Sequence, residues 1–205
     1  MAFVACLIPL ARLGWLFWSD ALGANPIEHV TRSTGWWALS FLVLTLAVTP
    51  FRQGLGLPWL LRFRRMLGLF SLAYGLCHLA TYVWLDQFFD WSGIGADIVK
   101  RPFITIGVLT IALMLPLGAT STAAMVRRLG ARRWLALHRS IYVIGLLAVS
   151  HFWWLVKKDI TEPASFAAIL AVLLVWRVGF AWVGSGSGRG DGQAAQSRPA
   201  ARSET

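Results

Sequence analysis

Four histidines occur in the sequence, and three of them, His78, His138 and His151, fall within stretches otherwise made of aliphatic and aromatic residues. An imidazole can ligate a metal through one ring nitrogen while the other makes a hydrogen bond, and it can also relay protons. Placed among apolar side chains it is costly without a partner. The plainer alternative for each is a ring hydrogen-bonded to a neighbouring helix. Three of them on only two stretches, "RRMLGLFSLAYGLCHLATYVWL" and "RRWLALHRSIYVIGLLAVSHFWWLVKK", favour a common ligand over that alternative. The fourth, His29 in "NPIEHVTRS", reads as a solvated loop residue. Cys6 and Cys77 have no CxxC spacing and read as small buried hydrophobes.

The elements that must position these rings are membrane helices. Of 205 residues, 57% are hydrophobic and 14% charged, with a mean hydropathy of +0.63, too apolar for a water-soluble domain of this size. About 20 apolar residues cross the hydrocarbon core of a bilayer. Five stretches approach or meet that length: Gly35–Pro50, Met66–Leu85, Pro102–Ser121, Leu135–Val156 and Pro163–Val183. A sixth, Met1–Trp18, is interrupted by Arg12 and reads as a span rather than a removed signal peptide, since it lacks an Ala-x-Ala site behind a charged start. Pro102 and Pro163 suit the first turns of their helices, and Pro116 is expected to bend the helix that contains it.

A net charge of +10 would suggest nucleic acid in a soluble protein, but its distribution gives a topology instead. Arg52, Arg62, Arg64 and Arg65 fill one loop, Arg127, Arg128, Arg132 and Arg133 another, and Arg189, Arg198 and Arg202 the tail. The alternate loops hold seven of the nine acids: Asp20, Glu28, Asp86, Asp90, Asp97, Asp159 and Glu162. By the positive-inside rule the arginine loops and both termini are cytoplasmic, and the Trp-rich acidic ends face outward. Short connections predict an all-α, six-helix transmembrane bundle over residues 1–183, followed by a disordered Gly/Ser-rich cytoplasmic tail over 184–205. No GxGxxG precedes a helix and no GxxxxGK[ST] occurs, so the chain carries no nucleotide-binding domain of those kinds.

Depth then decides which histidines can share a ligand. At 1.5 Å per residue, His78 lies roughly 10 Å and His151 roughly 8 Å from the outer ends of their helices, while His138 is within a turn of the cytoplasmic end. Two neutral imidazoles at one level, facing across a bundle, suit the two axial positions of a haem iron. With both positions taken, the expected chemistry is electron transfer. Zinc lacks a third and fourth ligand at that depth, and the missing intramembrane carboxylates weaken a proton-pump reading. Leu79, Tyr82, Tyr74 and Phe152 are candidates for the apolar shell around the iron.

The histidine stretches, together with "KRPFITIGVLTIALMLPLGATST", resemble the MsrQ (YedZ) family of haem-binding membrane subunits, from about Leu7 to Arg177. The resemblance implies a ferric-reductase-like, cytochrome b-type transmembrane domain in a bacterial inner membrane, binding haem b and FMN. It also implies electron delivery to a periplasmic molybdopterin-containing methionine-sulfoxide reductase that repairs oxidised envelope proteins. His78 and His151 match the haem-ligand positions, and His138 matches a third family histidine. Two-haem relatives carry histidines 13 or 14 residues apart on each of two helices. Here the same count back from His78 reaches Arg65 and Arg64, so an inner haem lacks its opposing ligand. The inner half instead offers Arg64, Arg65, Arg132 and Arg133 for a flavin phosphate near His138, with a cytoplasmic flavin reductase or membrane quinol as donor. The rival readings are a two-haem ferric or quinone reductase, His138 pairing with a residue such as Met66, and a haem-free scaffold or transporter.

Overall fold

A computed structural model describes residues 1–156 and 158–196. Among these residues nine α-helices follow in chain order: α1 Ala2–Trp18, α2 Pro26–Leu55, α3 Leu61–Ala80, α4 Trp91–Lys100, α5 Pro102–Ala119, α6 Ala123–Leu129, α7 Ala131–His138, α8 Ile141–Leu155 and α9 Thr161–Gln196. A 3₁₀ turn, Pro58–Leu60, leads into α3, and a π-helical turn, Thr81–Asp86, continues from it. No strand occurs among the described residues. Five segments are long and apolar enough to cross a bilayer: Pro26–Leu55, Pro58–Asp86, Pro102–Ala119, Ala131–Leu155 and Thr161–Gly179. The protein is thus an all-helical multi-pass membrane protein. Its N-terminal helix, at 17 residues, is shorter than those five.

Local chemistry sets the ends of α2. Asn25 accepts a hydrogen bond from the Glu28 amide at 3.3 Å, Pro26 occupies the first turn, and Gly56 closes the helix at φ 66°, a left-handed conformation that favours glycine. The expected stop at Pro50 is not observed, and the helix runs on to Leu55. Membrane helices tolerate an interior proline when neighbours cover the freed backbone groups. A second difference lies at the other arginine loop. The single span expected at Leu135–Val156 is present as Ala131–Leu155, but its α-helical pairing is interrupted at Arg139–Ser140, where Ser140 N–H donates to Leu137 O and Tyr142 N–H to Arg139 O, tighter pairings than an α-helix makes. His138 is the last residue before this break. At the C-terminus α9 extends to Gln196, over part of the stretch expected as a tail, and 197–205 lie outside the described residues.

The core is built around α2. Its membrane segment is 56% buried, against 17% for those of α5, α7–α8 and α9. Leu39, Leu42, Val43 and Leu46 of α2 meet Met114 and Leu117 of α5, Ile144 and Val149 of α8, and Phe166 and Leu170 of α9. The outward faces of α5, α8 and α9 carry Leu109, Leu115, Val143, Leu146, Val172 and Val175, all exposed, as a lipid-facing surface requires. Ser71 of α3 donates to the Ala38 carbonyl of α2 at 2.8 Å, fixing that close pair.

Helix α1 is held by a second cluster of Cys6, Phe41, Phe70 and Tyr74. The fully buried Tyr74 hydroxyl donates to Cys6 O at 2.8 Å and accepts from Leu10 N–H at 3.2 Å. These two groups are one α-helical turn apart, so the phenol bridges the helix's own ladder. Tyr74 is therefore a structural clamp on α1 rather than part of a shell around a metal.

Candidate functional site

His78, near the end of α3, and His151, in α8, come together: their ring centroids are 6.1 Å apart and their planes 79° to one another. Each ring is anchored the same way. His78 Nδ1 lies 2.9 Å from the Thr31 carbonyl of α2, and His151 Nδ1 2.7 Å from the Phe103 carbonyl of α5. A carbonyl can only accept, so Nδ1 donates in both and the lone pair of each neutral ring is on Nε2. This is the tautomer that a metal-ligating histidine needs, with its second nitrogen fixed by an outer partner.

The approach to those carbonyls depends on glycine. Gly35 follows Thr31 by one helical turn, and Gly107 follows Phe103 by one turn. A Cβ at Gly35 would lie 3.0 Å from His78 Nδ1, and one at Gly107 would lie 2.8 Å from His151 Cε1. The missing side chains open the groove through which each ring reaches its acceptor. Thr31–Gly35 and Phe103–Gly107 thus form two equivalent cradles on the helices flanking the histidine pair.

By centroid separation, the pair would fit a metal ion held between the two rings. Two metal–imidazole bonds of about 2 Å each, together with the distance from ring nitrogen to ring centre on either side, separate the centroids by about 6 Å. Among the described residues no group of three His, Cys, Asp or Glu side chains converges, so a structural or catalytic zinc has no ligand set. A haem, whose porphyrin supplies the other four ligands, needs only the two imidazoles present.

His138 stands apart from this pair, as its depth predicted. It stacks on Trp134, with centroids 3.9 Å apart and planes at 24°, and its Nδ1 donates to the Trp134 carbonyl at 3.1 Å. Trp134 is fixed in turn by its indole N–H to Thr120 O at 2.8 Å. By strict geometry His138 Nε2 makes no hydrogen bond, although the Leu117 backbone lies close to the ring; Thr49 Oγ1 and Arg52 Nε, near the C-terminal end of α2, are the other such atoms among the described residues.

Of the four arginines proposed for that region, only Arg64 is brought inside. It lies within electrostatic reach of His138, Tyr142 and Arg177, whereas Arg65, Arg132 and Arg133 are exposed. Arg177 Cζ sits 5.0 Å over the Tyr142 ring. Sequence reasoning left Arg177 out of the site, although a charge late in an apolar span is itself a signal. Gly35, Gly107, Thr31 and Phe103 left no such signal. Three expected shell residues do other work: Tyr74 clamps α1, Tyr82 donates to Asp97 of α4 at 3.1 Å, and Phe152 packs on Phe166 in the core. Phe103, 6.4 Å from the His151 ring, is the aromatic neighbour found there. Met66 packs against the α1 cluster and offers His138 no opposing ligand.

Residues 34–149 match the family model described as the ferric reductase like transmembrane component. The chain is 52% identical over 177 residues to a protein of Azospira oryzae, covering 86% of this chain and 76% of the relative. It is 54% identical over 180 residues to one of Xanthomonas campestris, covering 85% and 82%. A protein of Herminiimonas arsenicoxydans is 50% identical over 184 residues, covering 89% and 84%. All three are named protein-methionine-sulfoxide reductase heme-binding subunit MsrQ. No solved structure matches the chain.

Proposed function

Because the chain belongs to the MsrQ family of ferric-reductase-like transmembrane proteins, we propose that it is a six-span inner-membrane electron carrier holding one haem b between His78 and His151. In this reading it serves a periplasmic, molybdopterin-containing methionine-sulfoxide reductase. The observation that carries the reading is the facing imidazole pair, 6.1 Å apart, with each Nδ1 committed to a backbone carbonyl. Bound haem supplies a one-electron iron couple with no open position for oxygen. The protein's part is to hold both ligands in one tautomer, cradle them at Gly35 and Gly107, and keep water away with the apolar α2–α5–α8 packing. The inner half takes electrons from a cytoplasmic flavin reductase or a membrane quinol. There Arg64 and Arg177 would hold an FMN phosphate by charge-assisted hydrogen bonds.

The test is a reduced-minus-oxidised absorption spectrum of the purified chain, with haem counted per chain. One b-type haem is expected. A chain without haem would restore the scaffold or transporter reading, and two haems would restore the two-haem reductase.

The arrangement also implies an orientation, with the arginine loops and both termini in the cytoplasm. In a background with Cys6 and Cys77 replaced by serine, a cysteine near Asp90 is expected to react with an impermeant thiol reagent on intact cells. One near Arg128 is expected to react only after the inner face is opened. Labelling of both from outside would overturn the orientation.

A further inference from the structure

The two histidines share one kind of anchor but are not braced equally. Thr81 stands where α3 passes into the π-helical turn, three residues after His78, and is only 8% exposed. Its hydroxyl donates to the His78 carbonyl at 2.7 Å and accepts from the Thr31 hydroxyl at 3.0 Å. The Thr31 carbonyl accepts the His78 Nδ1–H at 2.9 Å. The hydrogen bonds therefore close a ring: imidazole to Thr31 carbonyl, Thr31 hydroxyl to Thr81 hydroxyl, Thr81 hydroxyl to His78 carbonyl. His151 has no counterpart, since Phe103 carries no hydroxyl to return such a bond.

We propose that Thr81 is the positioning residue for the His78 ligand, fixing the ring plane and the strength of its Nδ1–H bond through Thr31; the inference rests on the haem reading above. Two physical consequences follow. A firm Nδ1–H···O=C bond makes the imidazole a more electron-rich ligand, which favours ferric iron and lowers the midpoint potential. A fixed ring plane preserves the near-perpendicular relation to His151, 79°, and the angle between axial rings sets the g-anisotropy of ferric low-spin haem. The π turn that starts at Thr81 belongs to the same device. Such turns interrupt the regular ladder and concentrate at functional sites, and here the threonine hydroxyl covers the His78 carbonyl where the pairing changes.

Thr81→Val keeps the side-chain shape and removes the hydroxyl alone. In the full-length, haem-loaded protein it is expected to leave haem content unchanged, raise the midpoint potential and reduce the largest ferric g value. Thr81→Ser is expected to restore both. Thr31→Val breaks the ring from its other side and is expected to shift both readouts in the same directions. It serves as the test if the Thr81→Val protein does not accumulate. Haem-loaded Thr81→Val, or Thr31→Val in its place, with wild-type potential and g values overturns the proposal. Loss of haem from Thr81→Ser as well as Thr81→Val also overturns it, because the requirement would then be for threonine's bulk. Haem lost from Thr81→Val but kept by Thr81→Ser supports it. A wild-type chain without haem would defeat the haem reading itself, and so the two failures are distinct.

Discussion

Alanine at His78 or at His151 is expected to take haem content from one per chain to near zero, with loss of the b-type spectrum, while His29→Ala leaves both unchanged. Each substitution removes one of the two side-chain ligands, and no other imidazole is placed to replace it: His138 is held at the α7–α8 break against Trp134, and His29 is exposed in the first turn of α2. The fold should survive, because alanine is a strong helix former and both histidines lie within helical segments whose backbone pairing it preserves. A pyridine haemochrome assay on purified protein, with helicity from circular dichroism as the control, measures the effect. Wild-type haem content and spectrum in both single variants would sink the assignment. Gly107→Ala belongs to the same experiment. Its methyl would lie 2.8 Å from His151 Cε1, so the ring must move off its line to Phe103, and a weaker, partly loaded haem site is expected.

What the sequence made legible was position along a helix axis. Apolar length, arginine loops and a rise of 1.5 Å per residue were enough to put His78 and His151 at one level and His138 at another, because depth depends only on counting. Rotation about the axis was not legible. Tyr74 precedes His78 by one helical turn, and yet its hydroxyl turns to the α1 backbone while the imidazole turns to α2. Counting rotation from His138 to His151 also fails, since the chain changes pitch at Arg139–Ser140 between them. The cradle glycines were hidden for a related reason. A glycine matters for what packs on its bare face, and Gly35 and Gly107 became informative only once the rings opposite them were seen. Arg177 is the reverse case: it was visible as a charge in an apolar span, and its partners Tyr142 and Arg64 come from other helices.

That inner cluster carries the second large effect. In the proposed reading an outer haem would leave much of a ~30 Å hydrocarbon core between itself and cytoplasmic donors, so a second carrier would have to sit on the inner side, or the donor would have to enter the membrane. Arg64, within electrostatic reach of both Arg177 and His138, and Arg177 over the Tyr142 ring would give that side an electropositive polar cluster. A hydrogen bond to a charged group contributes about 1.5–3 kcal/mol. Removing two arginines from a bound phosphate should therefore weaken flavin binding by about 3–6 kcal/mol, or roughly 10²–10⁴-fold. The double variant Arg64→Ala/Arg177→Ala is expected to lose its flavin on purification, keep its haem, and accept electrons far more slowly from a cytoplasmic flavin reductase. Arg65→Ala/Arg132→Ala/Arg133→Ala removes more charge but only from exposed positions. That triple variant is expected to keep its flavin, which separates a built site from general attraction by a basic face. Flavin retained by the double variant and lost from the triple would move the phosphate to the exposed arginines. A wild-type chain that holds no flavin would leave quinol, entering from the bilayer, as the better donor.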